Sequence, residues 1–188
     1  MSEPALLLPP APGFAGLLTQ PLLAAANRLS GLSCLNGLYQ RARQGATDGD
    51  FLDSALATLG VRCDLDRQHQ AQVPGSGPLV VVANHPFGGV EGMALAQALR
   101  QRRPDLRILA NHLLGRIPEL DPLMIYVNPF AGGAAARQNH APLRQALAWL
   151  RDGGALLVFP AGTVSHLHLR ARAVIDPPWQ PTVSWLAG

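Results

Sequence analysis

Four short apolar runs, set apart by segments of helical periodicity, restrict this chain more than any other feature. They are Leu79–Ala83, Leu106–Ala110, Leu123–Val127 and Ala155–Phe159. Runs this short, rich in Val, Ile and Leu and without polar alternation, read as strands buried on both faces. Glu91–Arg102, which Pro104 stops, and Pro142–Arg151, ended by Asp152-Gly153-Gly154, read as helices between them. Strands that alternate with helices predict an α/β fold, a largely parallel sheet flanked by helices.

Upstream, Leu22–Gln44 and Asp50–Leu59 carry helical periodicity and form an N-terminal helical segment. Gly45 is a stop for the first, and Asp50 a cap ahead of Phe51, Leu52, Leu56 and Leu59. The turn cluster Pro74-Gly75-Ser76-Gly77-Pro78 divides residues 1–73, an apolar arm with helices, from an α/β core at 74–188. The arm has no charge from Pro4 to Asn27, but Pro4, Pro9, Pro10, Pro12 and Pro21 would break a spanning helix. A segment that lies on a bilayer or packs on the domain is expected instead. It lacks the basic start of a signal peptide.

Composition narrows the function classes. All 15 basic residues are arginine, which excludes Schiff-base chemistry and a P-loop lysine. Aromatics at 5% give no stacking platform for single-stranded nucleic acid, so no nucleic-acid partner is expected. The net charge of +3 is compatible with an anionic membrane surface or a phosphate ligand. Cys34 and Cys63 have no metal-ligand spacing and read as reduced thiols of a cytoplasmic protein.

Chemistry concentrates in Asn84-His85-Pro86-Phe87-Gly88-Gly89-Val90-Glu91-Gly92. A histidine at the carboxyl end of a strand, followed by a glycine turn into a helix, lies where α/β folds place ligands. Glu91, six residues on and in the first helical turn, can reach back to the ring. A carboxylate on one imidazole nitrogen fixes the tautomer and raises the basicity of the other. The bland reading is a strand-end histidine satisfied by backbone, and spacing alone does not choose between them. His166 and His168 share one face of an extended segment but have no identifiable third ligand, so no metal site is expected. Ser165 lacks a Gly-x-Ser-x-Gly elbow. Arg100, Arg102, Arg103 and Arg107 read as a solvated helix end, with a lipid-phosphate contact as the alternative.

The block from Asn84 to Gly92 resembles the first motif of the glycerolipid acyltransferase superfamily, in its bacterial hemolysin-like or ornithine-lipid-type branch. Further matching blocks follow in order: Ile108–Asn111, Ile117–Leu120, Val127–Phe130, Trp149–Gly154, Val158–Gly162 and Asp176–Trp179. The resemblance runs from about Phe51 to Gly188. It implies transfer of a fatty acyl group from acyl-CoA or acyl-carrier protein, as co-substrate, to a lyso-lipid or aminolipid acceptor. No bound cofactor or metal is implied, and the location would be peripheral, on the inner membrane face. His85 would be the general base and Glu91 its partner. Asn84, Gly88, Gly89, Phe130, Arg137, Phe159, Pro160, Gly162 and Thr163 would contact substrate.

Two departures are visible. The superfamily's common Phe-Pro-Glu-Gly-Thr block has Ala161 at its glutamate position here, which argues against a glycerol-3-phosphate acceptor. The acid of the first motif is Glu91 after a longer spacer. The family domain also continues past the region of Trp185, so the chain reads as truncated at its C-terminus, with an uncovered sheet edge open to self-association. A non-catalytic, peripheral lipid-binding member of the same fold is the alternative reading.

Overall fold

The structure, a computed structural model, describes residues 6–7, 24–46, 50–64, 66–128, 133–168 and 172–187. Most of the apolar arm, with its expected bilayer or domain contact, and Phe130 lie outside the described residues. The chain forms two compact units, Met1–Val61 and Arg62–Gly188.

In the first unit, helices α1 (Leu32–Gly45) and α2 (Phe51–Thr58) pack together. The single helix expected from Leu22 is interrupted because Gly31 takes a left-handed conformation, φ 77°, which glycine adopts at no steric cost. Asp50 caps α2 by accepting the Leu52 N–H at 3.0 Å. Tyr39 and Phe51 meet edge to face at 6.1 Å, and the Ser54 hydroxyl donates to the Ala42 carbonyl at 2.5 Å. A side chain at Gly45 would collide with that serine.

The second unit opens with a short helix, α3 (Arg67–Ala71), and continues β1 (Leu79–Val82), α4 (Gly89–Arg100), β2 (Arg107–Asn111), β3 (Met124–Val127), α5 (Gly133–Arg151) and β4 (Ala155–Val158). The four strands form a sheet in the order β1-β4-β2-β3, every pairing parallel. The expected largely parallel α/β sheet is therefore present. Ala155, Leu156, Leu157 and Val158 of β4 are all buried, as a strand with neighbours on both sides and cover on both faces must be. Ala146 and Leu150 of α5 pack on Ile125, Leu156 and Val158, and Leu186 of α6 (Thr182–Ala187) completes this core.

Two details depart from the sequence reading. Helix α5 starts nine residues ahead of Pro142, at Gly133. Its first turns are Ala134-Ala135-Ala136, good helix formers whose uniformity hides any period. Arg103 is not solvated: it is 1% exposed, its guanidinium forked on Asp105 at 2.8 and 2.9 Å and bonded to the Gly153 carbonyl at 2.8 Å. Asp105 in turn accepts the Ala155 N–H at 3.1 Å, so this pair ties the end of α4 to the start of β4. The hydrogen bonds from Arg103 hold the Asp105 carboxyl below its ordinary range. Arg107 lies over the Trp149 ring, 4.4 Å from its centroid.

Beyond β4 the chain makes an antiparallel hairpin, β5 (His166–His168) with β6 (Ala173–Ile175), paired His166 to Ile175 and His168 to Ala173. All six strand residues are exposed.

Candidate active site

The last sheet bond of β1 is the Ala83 N–H to the Val158 carbonyl, 3.2 Å. The chain then leaves the sheet, and two residues later His85 stands beyond the carboxyl edge, next to the end of β4. Its ring lies on Phe159 with centroids 4.4 Å apart and planes tilted by 31°. Gly92 faces the other part of that phenyl ring, where a Cβ would already be in contact at 3.7 Å. Gly88 enters α4 with φ 72° and ψ −127°, a conformation open to glycine alone. That turn brings the first helical turn back towards the strand end.

As a result Glu91 Oε1 lies 2.8 Å from His85 Nδ1, with the two side chains 14% and 20% exposed. The contact is a close approach off the line of the ring N–H rather than an aligned hydrogen bond. The same oxygen accepts the Phe87 N–H at 3.1 Å, which holds the carboxylate at the helix start. Glu91 Oε2 is buried without a hydrogen-bond partner. With Nδ1 engaged by Glu91, Nε2 is the ring nitrogen left for a reacting group.

A groove of about 630 Å³ opens at this edge, lined by Asn84, Pro86, Phe87, Ser165, Leu167, Val174 and Asp176. Phe87 is 74% exposed, Leu167 59% and Val174 66%, so much of its rim is apolar. A recess of about 540 Å³ in the first unit is lined by Arg41, Asp50, Asp53, Ser54 and Thr58 and contains no histidine or cysteine.

The structure brings His85, Glu91 and Phe159 into contact, with Asn84 on the groove and Gly88 and Gly89 at the start of α4. Phe159 to Gly162 form a tight turn: the Gly162 N–H donates to the Phe159 carbonyl at 3.0 Å, and the buried Pro160 carbonyl accepts from Gln180 at 3.0 Å. Ala161, at the position of the family's glutamate, is 5% exposed. Thr163 follows on the surface. Arg137 is exposed on α5 and is not among the residues lining the groove. His166 and His168 are exposed, and among the described residues no cluster of three His, Cys, Asp or Glu is placed to hold a metal.

Sequence reasoning missed the surroundings of the His85 main chain. The Ser165 N–H donates to the His85 carbonyl at 2.9 Å, and Asp176 Oδ1 accepts the His85 N–H at 3.4 Å and the Ser165 hydroxyl. The hairpin that supplies them is exposed at every strand position, and no signal in the sequence points to these backbone contacts.

A parallel α/β sheet flanked by helices is the fold that the resemblance of the Asn84–Gly92 block implies. The chain belongs to the acyltransferase family whose model matches residues 40–187, which bears out the resemblance carried by its motifs. It is 27% identical over 134 residues to a lyso-glycine lipid O-acyltransferase of Phocaeicola vulgatus, a match covering 71% of this chain and 45% of that protein. It is 28% identical over 135 residues to the lyso-glycine lipid O-acyltransferase of Bacteroides thetaiotaomicron, covering 71% of this chain and 46% of the relative. The match thus spans under half the length of both curated relatives.

Proposed function

We propose that the protein transfers a fatty acyl group from a thioester, acyl-CoA or acyl-carrier protein, to the hydroxyl of a lyso-lipid or the amine of an aminolipid. The observation that carries this is the 2.8 Å pairing of Glu91 with His85 beside an apolar-rimmed groove. His85 Nε2 takes the acceptor's proton as its oxygen or nitrogen attacks the thioester carbonyl. Glu91 stabilises the imidazolium so formed. Backbone donors at Gly88 or Gly89 hold the oxyanion, each worth about 3 kcal/mol; the Gly162 N–H, expected to share this role, is already given to the Phe159 carbonyl at 3.0 Å. The tetrahedral intermediate collapses by breaking the carbon–sulfur bond, and His85 returns the proton to the leaving thiolate. The scheme uses no metal, no bound cofactor and no covalent enzyme intermediate.

Exposed Phe87, Leu167 and Val174 support work at a membrane surface, with the protein peripheral on its inner face. No helix among the described residues is long and apolar enough to cross a membrane. The acceptor reading draws on the curated relatives, which act on a lyso-glycine lipid. Ala161, small and buried where the superfamily's common motif has glutamate, favours a second reading, a lipid-binding member without turnover.

The test is thiol release from acyl-CoA or acyl-carrier protein in the presence of lyso-lipid micelles, with the acylated product identified by mass spectrometry. His85→Ala should lose roughly a hundredfold or more in turnover with an unchanged melting profile. Near-full turnover in that variant refutes the base, and lipid binding without turnover in the wild type favours the second reading.

A further inference from the structure

We infer that the β5–β6 hairpin is a clamp on His85, with Asp176 and Ser165 as positioning residues for the base. This rests on the acyl-transfer reading of His85, and it concerns residues that touch the main chain of the base rather than the reacting atoms.

His85 lies past the last ladder bond of β1, at Ala83, so the sheet offers its backbone nothing further. A base carried by such a free strand end would wander, and a displacement of about 1 Å is enough to cost a hundredfold in rate. Both main-chain groups of His85 are nevertheless occupied. Its carbonyl accepts from the Ser165 N–H at 2.9 Å, and its N–H points to Asp176 Oδ1 at 3.4 Å. The two partners are bonded to each other through the Ser165 hydroxyl and the same Asp176 oxygen.

Their positions explain the hairpin. His166 pairs with Ile175, so Ser165 and Asp176 are the next pair outward in that register. The hairpin is therefore closed at its base by a side-chain bond, and that closure grips the His85 backbone from both sides. The same residues line the groove, and Asp176 Oδ2 is buried without a hydrogen-bond partner. A polar group left so in a native fold calls for a reason beyond packing. The glycine turn at Gly88 and Glu91 orient the ring; the hairpin fixes the point from which the ring hangs. A serine beside a histidine, which suggests a nucleophile, is here an orienting group.

The experiment compares Asp176→Ala, Asp176→Asn and Ser165→Ala with the wild-type chain by steady-state kinetics and by amide hydrogen exchange at His85 and Ser165. Asparagine keeps an acceptor oxygen in place; alanine removes it. Asp176→Ala is expected to lower kcat about 10- to 100-fold, because the base loses its fixed position, with the smaller change in KM, about threefold, from the altered groove wall. Asp176→Asn should recover kcat to within about fivefold of wild type. Amide exchange at His85 and Ser165 should speed up at least tenfold in Asp176→Ala, while the β2–β4 amides stay protected. Ser165→Ala keeps its N–H bond and should show the smaller effect of the two alanine variants.

An Asp176→Ala variant with kcat within twofold of wild type, or with unchanged exchange at both amides, overturns the clamp. So does an asparagine variant as impaired as the alanine one. Absence of turnover in the wild type counts against the acyl-transfer reading alone, and the exchange measurement still decides whether Asp176 holds His85.

Discussion

Replacing Glu91 by glutamine tests the chemistry with the least disturbance of the fold. Glutamine presents an acceptor oxygen to the Phe87 N–H, now bonded to Glu91 Oε1 at 3.1 Å, so the turn into α4 should survive. What disappears is the charge 2.8 Å from the ring. Two unit charges at that separation attract by about 6 kcal/mol at an effective dielectric of 20 and by about 1.5 kcal/mol in bulk water. Side chains 14% and 20% exposed lie between those limits, which puts the stabilisation of the imidazolium at about 3 kcal/mol. Each 1.36 kcal/mol is a factor of ten in rate, so kcat should fall about a hundredfold. Glu91→Asp shortens the reach by one methylene and should fall between glutamine and wild type. Turnover is read by thiol release at saturating acceptor and folding by thermal melting. Stability should change by less than about 1 kcal/mol, about 2–4 °C in Tm for a chain of this size. A folded Glu91→Gln protein with more than a third of wild-type kcat would show that the carboxylate serves only to hold the helix start.

Three further outcomes follow from the same geometry. Arg103→Met removes the forked donor to Asp105, whose side chain is 34% exposed, and the donor to the Gly153 carbonyl, and should cost about 1–3 kcal/mol in urea unfolding; a loss under about 0.5 kcal/mol would refute its role as a tie between α4 and β4. Because the Asp105 carboxyl is held below its ordinary range, its stabilisation is present above about pH 4 and is lost as pH falls through the depressed value; urea midpoints across the acid range should drop for the wild type and flatten in Asp105→Asn. Gly88→Ala forces a side chain onto φ 72° and ψ −127°, so it should cost about 1–3 kcal/mol and lower kcat by moving Glu91; unchanged melting and turnover would mean the turn tolerates a Cβ.

Much of the sheet was legible because burial imprints itself on composition. A central strand such as β4 must be apolar on both faces, so Ala155–Val158 announces itself without reference to any partner. The pairing of His85 with Glu91 was legible for a related reason, since a strand end, a glycine turn and a first helical turn are local, and six residues determine the reach. Helix α1 misled because its break at Gly31 depends on one backbone angle in an otherwise continuous pattern. Arg103 misled more deeply. Four arginines in eight residues look like a wet helix end, and only the fold reveals that Asp105 and the Gly153 carbonyl converge on one of them, Arg103, with the Ala155 N–H bonded to Asp105 in turn.

The hairpin illustrates why function is harder to read than fold. β5 and β6 are exposed at all six positions, so no core selects their residues and no periodicity strong enough to stand out is written into them. What they do is decided at Ser165 and Asp176, one position beyond the paired residues, where the partner is the backbone of a residue some 80 to 90 positions earlier in the chain. A backbone partner leaves no trace in side-chain pattern, because every residue has an N–H and a carbonyl. The ring of His85 could be singled out by its place at a strand end, and its Glu91 neighbour by spacing only together with the motif resemblance. The anchoring of that ring depends on a contact that only chain closure creates, and it is at such contacts that the site's precision is set.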